Sequence, residues 1–215
     1  MSWRITPTQP IPAVIGEPFG GGYFAGYISH TADGNPTHAL IVAPRATGAT
    51  GNSYTLTVNL QWKTANTATT GTTSAFDGAA NTAAMVTAGI ADHPVANFCV
   101  GLSIGGFSDW YMPARYELDI AYFNLKPSTQ ANNTNWGSNV YSVPRRPLNN
   151  APLFPRQTAL TAFNTTAEAF VADFHWSSTE ASATNGWGLY FGDGVQDNGL
   201  KTFFNRVRAF RRIAL

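Results

Sequence analysis

The sequence predicts an α+β domain made of short antiparallel sheets, two or three helices and long ordered loops. Patterns typical of strands occupy its first and last thirds, and patterns typical of helices lie between them. Charged residues make up 12% of the 215 residues, which is about half the usual share. The chain also contains 20 glycines, 13 prolines and 13% aromatic residues, a composition that favours short strands and turns over long helices.

Three strands are predicted in the first third of the chain. The glycines at 20–22 open a strand over 23–29, and Asp33-Gly34 predicts a turn before a second strand over 38–43. A third strand is predicted over 54–60, where apolar side chains alternate with Thr and Asn. The segment 64–77 is rich in Thr, Ala and Gly and is predicted to be a surface loop.

Two helices are predicted in the middle third, with a shorter one before them over 81–88. Asp92 is expected to cap a helix that begins near Pro94, in which Cys99 lies on the apolar face. The next helix is expected to begin at Pro113, because apolar residues again recur at helical spacing, and to end before Pro127.

Strands return in the last third, after a long connection over 127–157 that has little periodicity. They are predicted over 174–178, 186–191 and 203–213, with a turn at Asp193-Gly194 between the last two. Because strands flank the helices in sequence, we expect the first and last strands to meet.

The sequence predicts one domain over 14–215, preceded by an extended N-terminal arm over 1–13. Three prolines prevent the arm from pairing as a central strand. A disordered tail and an arm that lies along a neighbouring subunit are both compatible with this composition. The prolines favour a disordered tail. Trp3 and Ile5 would be unusual residues to leave in water, and they favour an arm along a neighbouring subunit to the same degree.

Charge, cysteine content and hydropathy exclude several classes of protein. The formal net charge is +1, so no field of one sign attracts nucleic acid or an acidic membrane surface. Cys99 is the single cysteine, so no intrachain disulfide is possible, which fits folding in a reducing cytoplasm. The N-terminus does not resemble a signal peptide, and no apolar run is long enough to predict membrane insertion.

Four sequence blocks carry the most specific signal in the chain. They are GGFSDWYMP at 105–113, HWSSTE at 175–180, GWGLYF at 186–191 and RVRAFRR at 206–212. In this order they resemble the domain that ends bacterial collagen-like adhesins and recurs in phage tail proteins. That domain shows G-[YF]-S-D-W-x-[LM]-P before a helix, then W-S-S-T, W-x-x-x-F-x-x-G and V-R-A-V-R-R. Phe210 replaces the usual Val, and His175 stands where an aromatic residue is common.

The resemblance covers about residues 14–215, because the phage versions also look similar upstream, at 20–26, 39–44, 62–64, 81–85 and 93–99. It implies a C-type-lectin-like fold, related to the formylglycine-generating enzyme and to variable phage tropism proteins. Its relatives bind glycans or host surfaces. The resemblance therefore implies a phage virion protein that binds another surface.

Most residues of the four blocks are expected to have structural roles. Their three tryptophans are expected in the core rather than on a binding platform. Asp109 is expected to be a buried acceptor that takes backbone N–H bonds or pairs with a terminal arginine. The alternating terminal arginines are expected to share one face that is solvated or paired with carboxylates, rather than to bind nucleic acid. The full set of structural motif residues is Asp109, Trp110, Pro113, Trp176, Ser177, Ser178, Trp187, Arg206 and Arg208, with Arg212 on the same arginine face.

The sequence predicts no catalytic residue, cofactor or metal site. The four histidines have no metal-ligand spacing, and Ser108 does not lie in a nucleophile elbow. Formylglycine-generating relatives use a cysteine pair, which Cys99 alone cannot supply. The segment 193–198 gathers oxygen atoms but has no Glu at the position that closes a calcium loop, so a polar hairpin turn is expected there.

The remaining candidate surface is the tip formed by the last strands and their loops, where rings, amides and hydroxyls suit a sugar or a protein. We expect a receptor-binding or adhesin-like module at a phage tail tip or fibre. It would act as a homo-oligomer, with a trimer favoured, beside other virion proteins assembled in the host cytoplasm. The alternatives are a structural virion component, such as a capsid decoration, head-fibre or baseplate protein, and a prophage-derived enzyme. The predicted ligand-binding residues are Tyr190, Asp193, Gln196, Asp197, Asn198, Lys201 and Phe203.

Overall fold

The computed structural model describes residues 10–51, 59–133, 138–146, 154–165 and 167–215. Within these ranges the chain is a mixed α+β structure in which every named strand pair is antiparallel, as the sequence predicts. The largest sheet has the order β1-β2-β3-β10, with β5 also paired to β2. Its strands are β1 (Pro18–Phe19), β2 (Gly22–Ile28), β3 (His38–Val42), β5 (Ser142–Val143) and β10 (Phe210–Ala214).

Two smaller sheets complete the described β structure. One pairs β4 (Leu60–Gln61) with β9 (Phe204–Asn205). The other has the order β6-β7-β8, formed by β6 (Phe174–Glu180), β7 (Asn185–Tyr190) and β8 (Gln196–Leu200). The helices are α1 (Arg45–Gly48), α2 (Gly78–Gly89), α3 (Pro94–Val100), α4 (Arg115–Leu125) and α5 (Thr161–Asn164).

The central strand β3 is buried on both faces of the large sheet. Its side chains alternate between two apolar clusters: Ala39 and Ile41 lie in one, and Leu40 and Val42 lie in the other. The first cluster also contains buried residues of α2 and α3, and the second contains the apolar face of α4. Strand β10 pairs with β3, the second predicted strand, so the last predicted strand joins the sheet of the first one but does not pair with it.

The last predicted strand is interrupted. The sequence predicts one strand over 203–213, but the chain forms β9 and β10 with a break between them. Its partners change along its length: Asn205 pairs with Leu60, Arg206 bridges to His175, and Arg208 bridges to Ala49. One straight strand cannot follow three different partners, so the segment bends between the sheets.

Two local predictions need correction. Asp92 does not cap α3, because it lies in a 3-10 turn over Ile90–Asp92 and His93 occupies the N-cap position, although the helix does begin at Pro94. The Asp193-Gly194 turn joins β7 to β8, a strand that the sequence analysis does not predict.

Several predictions fall on residues outside the described ranges. These are residues 1–9 of the arm and most of the strand predicted over 54–60. Of the arm, residues 10–13 are described, and Ile11 packs against the first apolar cluster.

Candidate functional site

A groove of about 210 Å³ lies on one face of the β6-β7-β8 sheet. Trp176, Gly188 and Asp197 are direct neighbours across the three strands, so they share this face. The groove overlaps the tip that the sequence predicts as a binding surface. Its lining residues are Phe174, Trp176, Gly188, Asp197, Asn198, Gly199, Phe203 and Asn205.

Two glycines create the groove. A Cβ atom at Gly188 would lie 3.1 Å from the His175 carbonyl oxygen and 3.6 Å from the Phe174 ring. A Cβ atom at Gly199 would lie 3.3 Å from the Phe203 ring and 3.6 Å from the Trp176 ring. Side chains at these two positions would therefore fill the space between the aromatic rings.

Aromatic rings form the floor and walls of the groove. Trp176 is 1% exposed, and its indole N–H donates to the Leu60 carbonyl oxygen at 3.1 Å, which fixes the ring in the core. Phe174 packs against the half-buried Tyr190, with ring centroids 5.4 Å apart. Phe203 is 54% exposed, although water disfavours an exposed ring. The exposed ring and the groove beside it together form a candidate binding surface.

Polar groups stand at the rim. Asp197 is exposed, and one of its carboxylate oxygens accepts a hydrogen bond from the Asn198 backbone N–H at 2.7 Å. The half-buried Asn205 side chain makes no hydrogen bond within the described ranges, so its amide is available to form hydrogen bonds with a ligand. Among the described residues that line the groove, Asp197 is the single charged one. The groove therefore combines ring faces with one acidic acceptor and one free amide.

Strand alternation divides the predicted ligand-binding residues between two faces. Asn198 pairs with Trp187 across the strands, and its side-chain oxygen accepts from the Asn185 amide at 2.8 Å on the face opposite Asp197. The Asp193 carboxylate accepts from the Val195 backbone N–H at 2.9 Å, as in a polar turn. The structure thus brings Tyr190, Asp197 and Phe203 to the groove or its edge. Asn198 borders the groove, but its side chain bonds to Asn185 on the opposite face, and the Asp193 side chain is engaged in its own turn.

Lys201 is buried, which corrects the expectation that it lies on the binding surface. Its ammonium donates to the carbonyl oxygens of Thr67 and Ala183 and to the Glu180 carboxylate at 2.8–3.0 Å. The side chain is 0% exposed. Burial lowers the pKa of Lys201, and the Glu180 carboxylate opposes this shift.

Gln196 is also buried, at 3% exposure, so its predicted place on the surface is wrong. It lies on the face of β8 opposite Asp197, where its amide donates to the Asp119 carboxylate at 3.1 Å. Its amide oxygen accepts from Arg115, whose guanidinium stacks on the Trp187 ring with 3.9 Å to the centroid. Gln196 therefore joins a buried polar network under the sheet.

Each of the four terminal arginines pairs with a carboxylate. This is the second of the two expected arrangements, a solvated face or a face paired with carboxylates. Asp109 is paired as expected but is not buried, because its side chain is 56% exposed beside the C-terminal strand. The pairs are Arg206 with Asp173, Arg208 with Glu168, Arg211 with Asp109, and Arg212 with Asp77.

The other residues of the four blocks lie in the core or form hydrogen bonds between separate segments of the chain. Trp110 and Trp176 are buried in the first apolar cluster with Val207 and Ala209, whereas Trp187 is half-buried. The Ser178 backbone N–H donates to the Pro113 carbonyl oxygen at 2.8 Å. The Ser177 hydroxyl donates to the Trp187 carbonyl oxygen at 3.0 Å. Trp62 joins the same core, and its indole N–H donates to the Ser177 carbonyl oxygen at 2.8 Å.

The histidines are engaged with protein groups. His93 contacts the Thr69 hydroxyl and the Gly89 carbonyl oxygen, and His175 contacts the Asp173 carbonyl oxygen. Burial lowers the pKa of His175 to about 3, and the Asp173 carbonyl partly opposes the shift. Burial also raises the pKa of Cys99. Within the described ranges, no group of three or more His, Cys, Asp or Glu residues is arranged to hold a metal.

The lowered pKa of His175 predicts that the folded state loses stability at acidic pH. Because its pKa is lowered from 6.5 in the folded state, the unfolded chain binds this proton first as the pH falls, and stability present above pH 6.5 is lost. From pH 6.5 to pH 5 this one group is expected to lower the free energy of unfolding by about 1.5 kcal/mol. Urea unfolding of the native chain and of His175→Leu at both pH values measures the difference. An equal acid loss in both proteins would contradict the prediction.

Five of the eight lining residues of the groove are absent from the predicted binding residues. Phe174 and Trp176 are two residues apart on one strand, and this alternation could have placed both rings on one face. No comparable signal points to Gly188, Gly199 or Asn205, because their role depends on which strands lie side by side.

No helix in the described ranges has the length and apolar character needed to cross a membrane. Comparison of the chain with models of known protein families gives no match, and comparison with curated proteins gives no relative.

Proposed function

We propose that the chain is a phage virion protein, a receptor-binding or adhesin-like module at a tail tip or fibre that recognises a bacterial surface glycan or protein. The order of the four sequence blocks supports this, since the similar domain occurs in phage tail proteins and bacterial adhesins. We also propose that the α+β structure is C-type-lectin-like. The pairing of β10 with β3, near the two ends of the chain, is compatible with that fold.

The observation that carries the proposal is the groove between Trp176, Asp197 and Phe203. The exposed Phe203 ring beside polar acceptors offers an apolar surface for the C–H face of a ligand and hydrogen bonds for its hydroxyl groups. The groove is shallow and small, so the affinity of one site is expected to be weak. A homotrimer beside other virion proteins would multiply this affinity by avidity.

Phe203→Ala is expected to weaken binding of the labelled protein to bacterial cells by about tenfold, because the exposed ring supplies much of the groove's contact area. The measurement is fluorescence titration against a panel of bacterial strains, with circular dichroism to verify folding. Phe154→Ala is the matched control, because Phe154 is 49% exposed and packs on Phe123, away from the groove lining. Native binding by Phe203→Ala, or no binding of native protein to any strain, would refute the proposal.

A structural virion role is the second candidate, and a stack of half-buried rings favours it. Tyr141 stacks on Phe76 at 4.4 Å and on Tyr116 at 5.5 Å between centroids. Tyrosine-rich patches are common at protein interfaces, so this stack could pack against a neighbouring virion protein. Cryo-electron microscopy of the virion distinguishes the two roles, since capsid lattice contacts through Tyr116 and Tyr141 would favour assembly over recognition.

A further inference from the structure

We propose, on the basis of the proposed function, that the groove takes one uncharged hexopyranose unit and rejects acidic sugars. The site is the groove lined by Trp176, Asp197, Phe203 and Asn205. Size, charge and the available hydrogen-bonding groups each lead to this ligand class.

The size of the groove sets the length of the ligand. At about 210 Å³ it is smaller than the roughly 300–1,000 Å³ of sites that enclose a drug-sized molecule. A single sugar ring fits this space, and further units of a glycan would lie outside it. The Phe203 ring stands free at the edge, where the apolar C–H face of a pyranose can pack on it.

The charges around the groove exclude an anionic ring. Asp197 is the single charged residue among the described lining residues. The basic residues that directly follow β8 and β9 are already paired, Lys201 with Glu180 and Arg206 with Asp173. A carboxylate on the ligand would therefore meet Asp197 without a free cation beside it, which opposes binding.

The polar side chains of the groove, Asp197 and Asn205, can form hydrogen bonds with the hydroxyl groups of a sugar. The Asp197 carboxylate is acceptor-only, and its second oxygen makes no hydrogen bond within the described ranges. It can accept from sugar hydroxyls through charge-assisted bonds. The Asn205 amide can both donate and accept, which matches a hydroxyl group that does the same.

Matched pairs of sugars test the inference. The probes are the methyl pyranosides of glucose, galactose and mannose and the corresponding methyl uronides, which differ within each pair by one carboxylate. Calorimetric titration of the native chain is expected to show millimolar binding of at least one neutral glycoside and at least about tenfold weaker binding of its uronide. Asp197→Asn keeps the shape, removes the charge and is expected to reduce this ratio to about threefold or less. Asp92→Asn removes the same charge at an exposed site outside the groove lining and is expected to keep the native ratio.

The outcomes separate this inference from the proposed function. Equal or tighter binding of the uronide, or an unchanged ratio in Asp197→Asn, would overturn the preference for uncharged sugars while leaving a binding groove. No binding of any of the six sugars, with cell binding still dependent on Phe203, would overturn the sugar class and leave recognition of a surface protein. Cell binding that is independent of Phe203 would refute the proposed function itself.

Discussion

Replacing Arg208 by Met is expected to lower the free energy of unfolding by about 3–5 kcal/mol, because the Glu168 carboxylate, which is only 13% exposed, loses the cation paired with it. The Arg208 side chain is 1% exposed. Its guanidinium donates to the Ala43 carbonyl oxygen at 2.7 Å, to the Glu168 carbonyl oxygen at 2.6 Å and to the Glu168 carboxylate at 2.7 Å. It also lies over the Phe170 ring, 4.7 Å from the centroid. Arg208 therefore connects the segment before β10 to the residue that follows β3 and to the segment before β6.

The electrostatics of this site support a large effect. Burial lowers the pKa of Arg208 to about 10, and the Glu168 carboxylate opposes the shift. Glu168 also accepts from the Arg45 backbone N–H at 2.8 Å, so the carboxylate stays fixed in place when the guanidinium is removed. Met fills much of the lost volume but offers no hydrogen-bond donor.

Chemical denaturation monitored by tryptophan fluorescence measures the loss. Arg145→Met is the matched control, since Arg145 is exposed and makes a hydrogen bond to the Ala32 carbonyl oxygen, and its loss is expected to cost about 0.5 kcal/mol or less. The double variant Arg208→Met/Glu168→Gln is expected to recover part of the stability, because it removes the uncompensated charge. A cost below about 1 kcal/mol for Arg208→Met would contradict this account.

The elements that the sequence predicts are those whose side chains carry a regular apolar pattern. The apolar run at 38–43 forms β3, and the two proline-initiated patterns form α3 and α4 within a few residues of their predicted bounds. In these elements the spacing of apolar side chains alone decides which face is buried. Their existence could therefore be inferred without knowledge of their partners.

Strand β8 has no such pattern. Its sequence, QDNGL, is polar, and it lies at the edge of its sheet, where polar residues are tolerated because one side faces water. Its strand character comes from pairing with β7, which opposes Asp197 to Gly188. The groove could not be predicted for the same reason. It is open because Gly188 and Gly199 carry no side chains, and their positions beside the rings depend on how the strands pair.

The burial of Lys201 could not be predicted from the sequence either. A lysine beside a turn is ordinarily exposed, because burying an ammonium is costly unless acceptors surround it. The acceptors of Lys201 come from residues 18 to 134 positions away in sequence, so tertiary structure alone brings them together. For the terminal arginines the sequence left a solvated face and carboxylate pairing both open, and the structure shows a carboxylate pair for each of the four.

Lys201→Met is expected to destabilise the fold by about 3–5 kcal/mol and to leave the groove's chemistry unchanged in the molecules that remain folded. The ammonium lies 4.5 Å from the centroid of the buried Trp62 ring and is paired with Glu180. Glu180 also accepts from the Thr69 backbone N–H at 2.7 Å, so the pair joins the loop at 64–72 to the ends of β6 and β8. Removing the lysine leaves the Glu180 carboxylate, which is only 9% exposed, without its paired cation.

Two measurements separate this structural role from a direct role in recognition. Denaturation gives the loss of stability, with Lys63→Met as the matched control, since Lys63 is half-buried and bonds mainly to exposed loop carbonyls, so about 1 kcal/mol or less is expected. Cell binding by Lys201→Met, corrected for the folded fraction, is expected to equal native binding. A variant that keeps native stability but loses binding would instead place the Lys201 ammonium on the ligand, and the groove would then have to extend to the far end of β8.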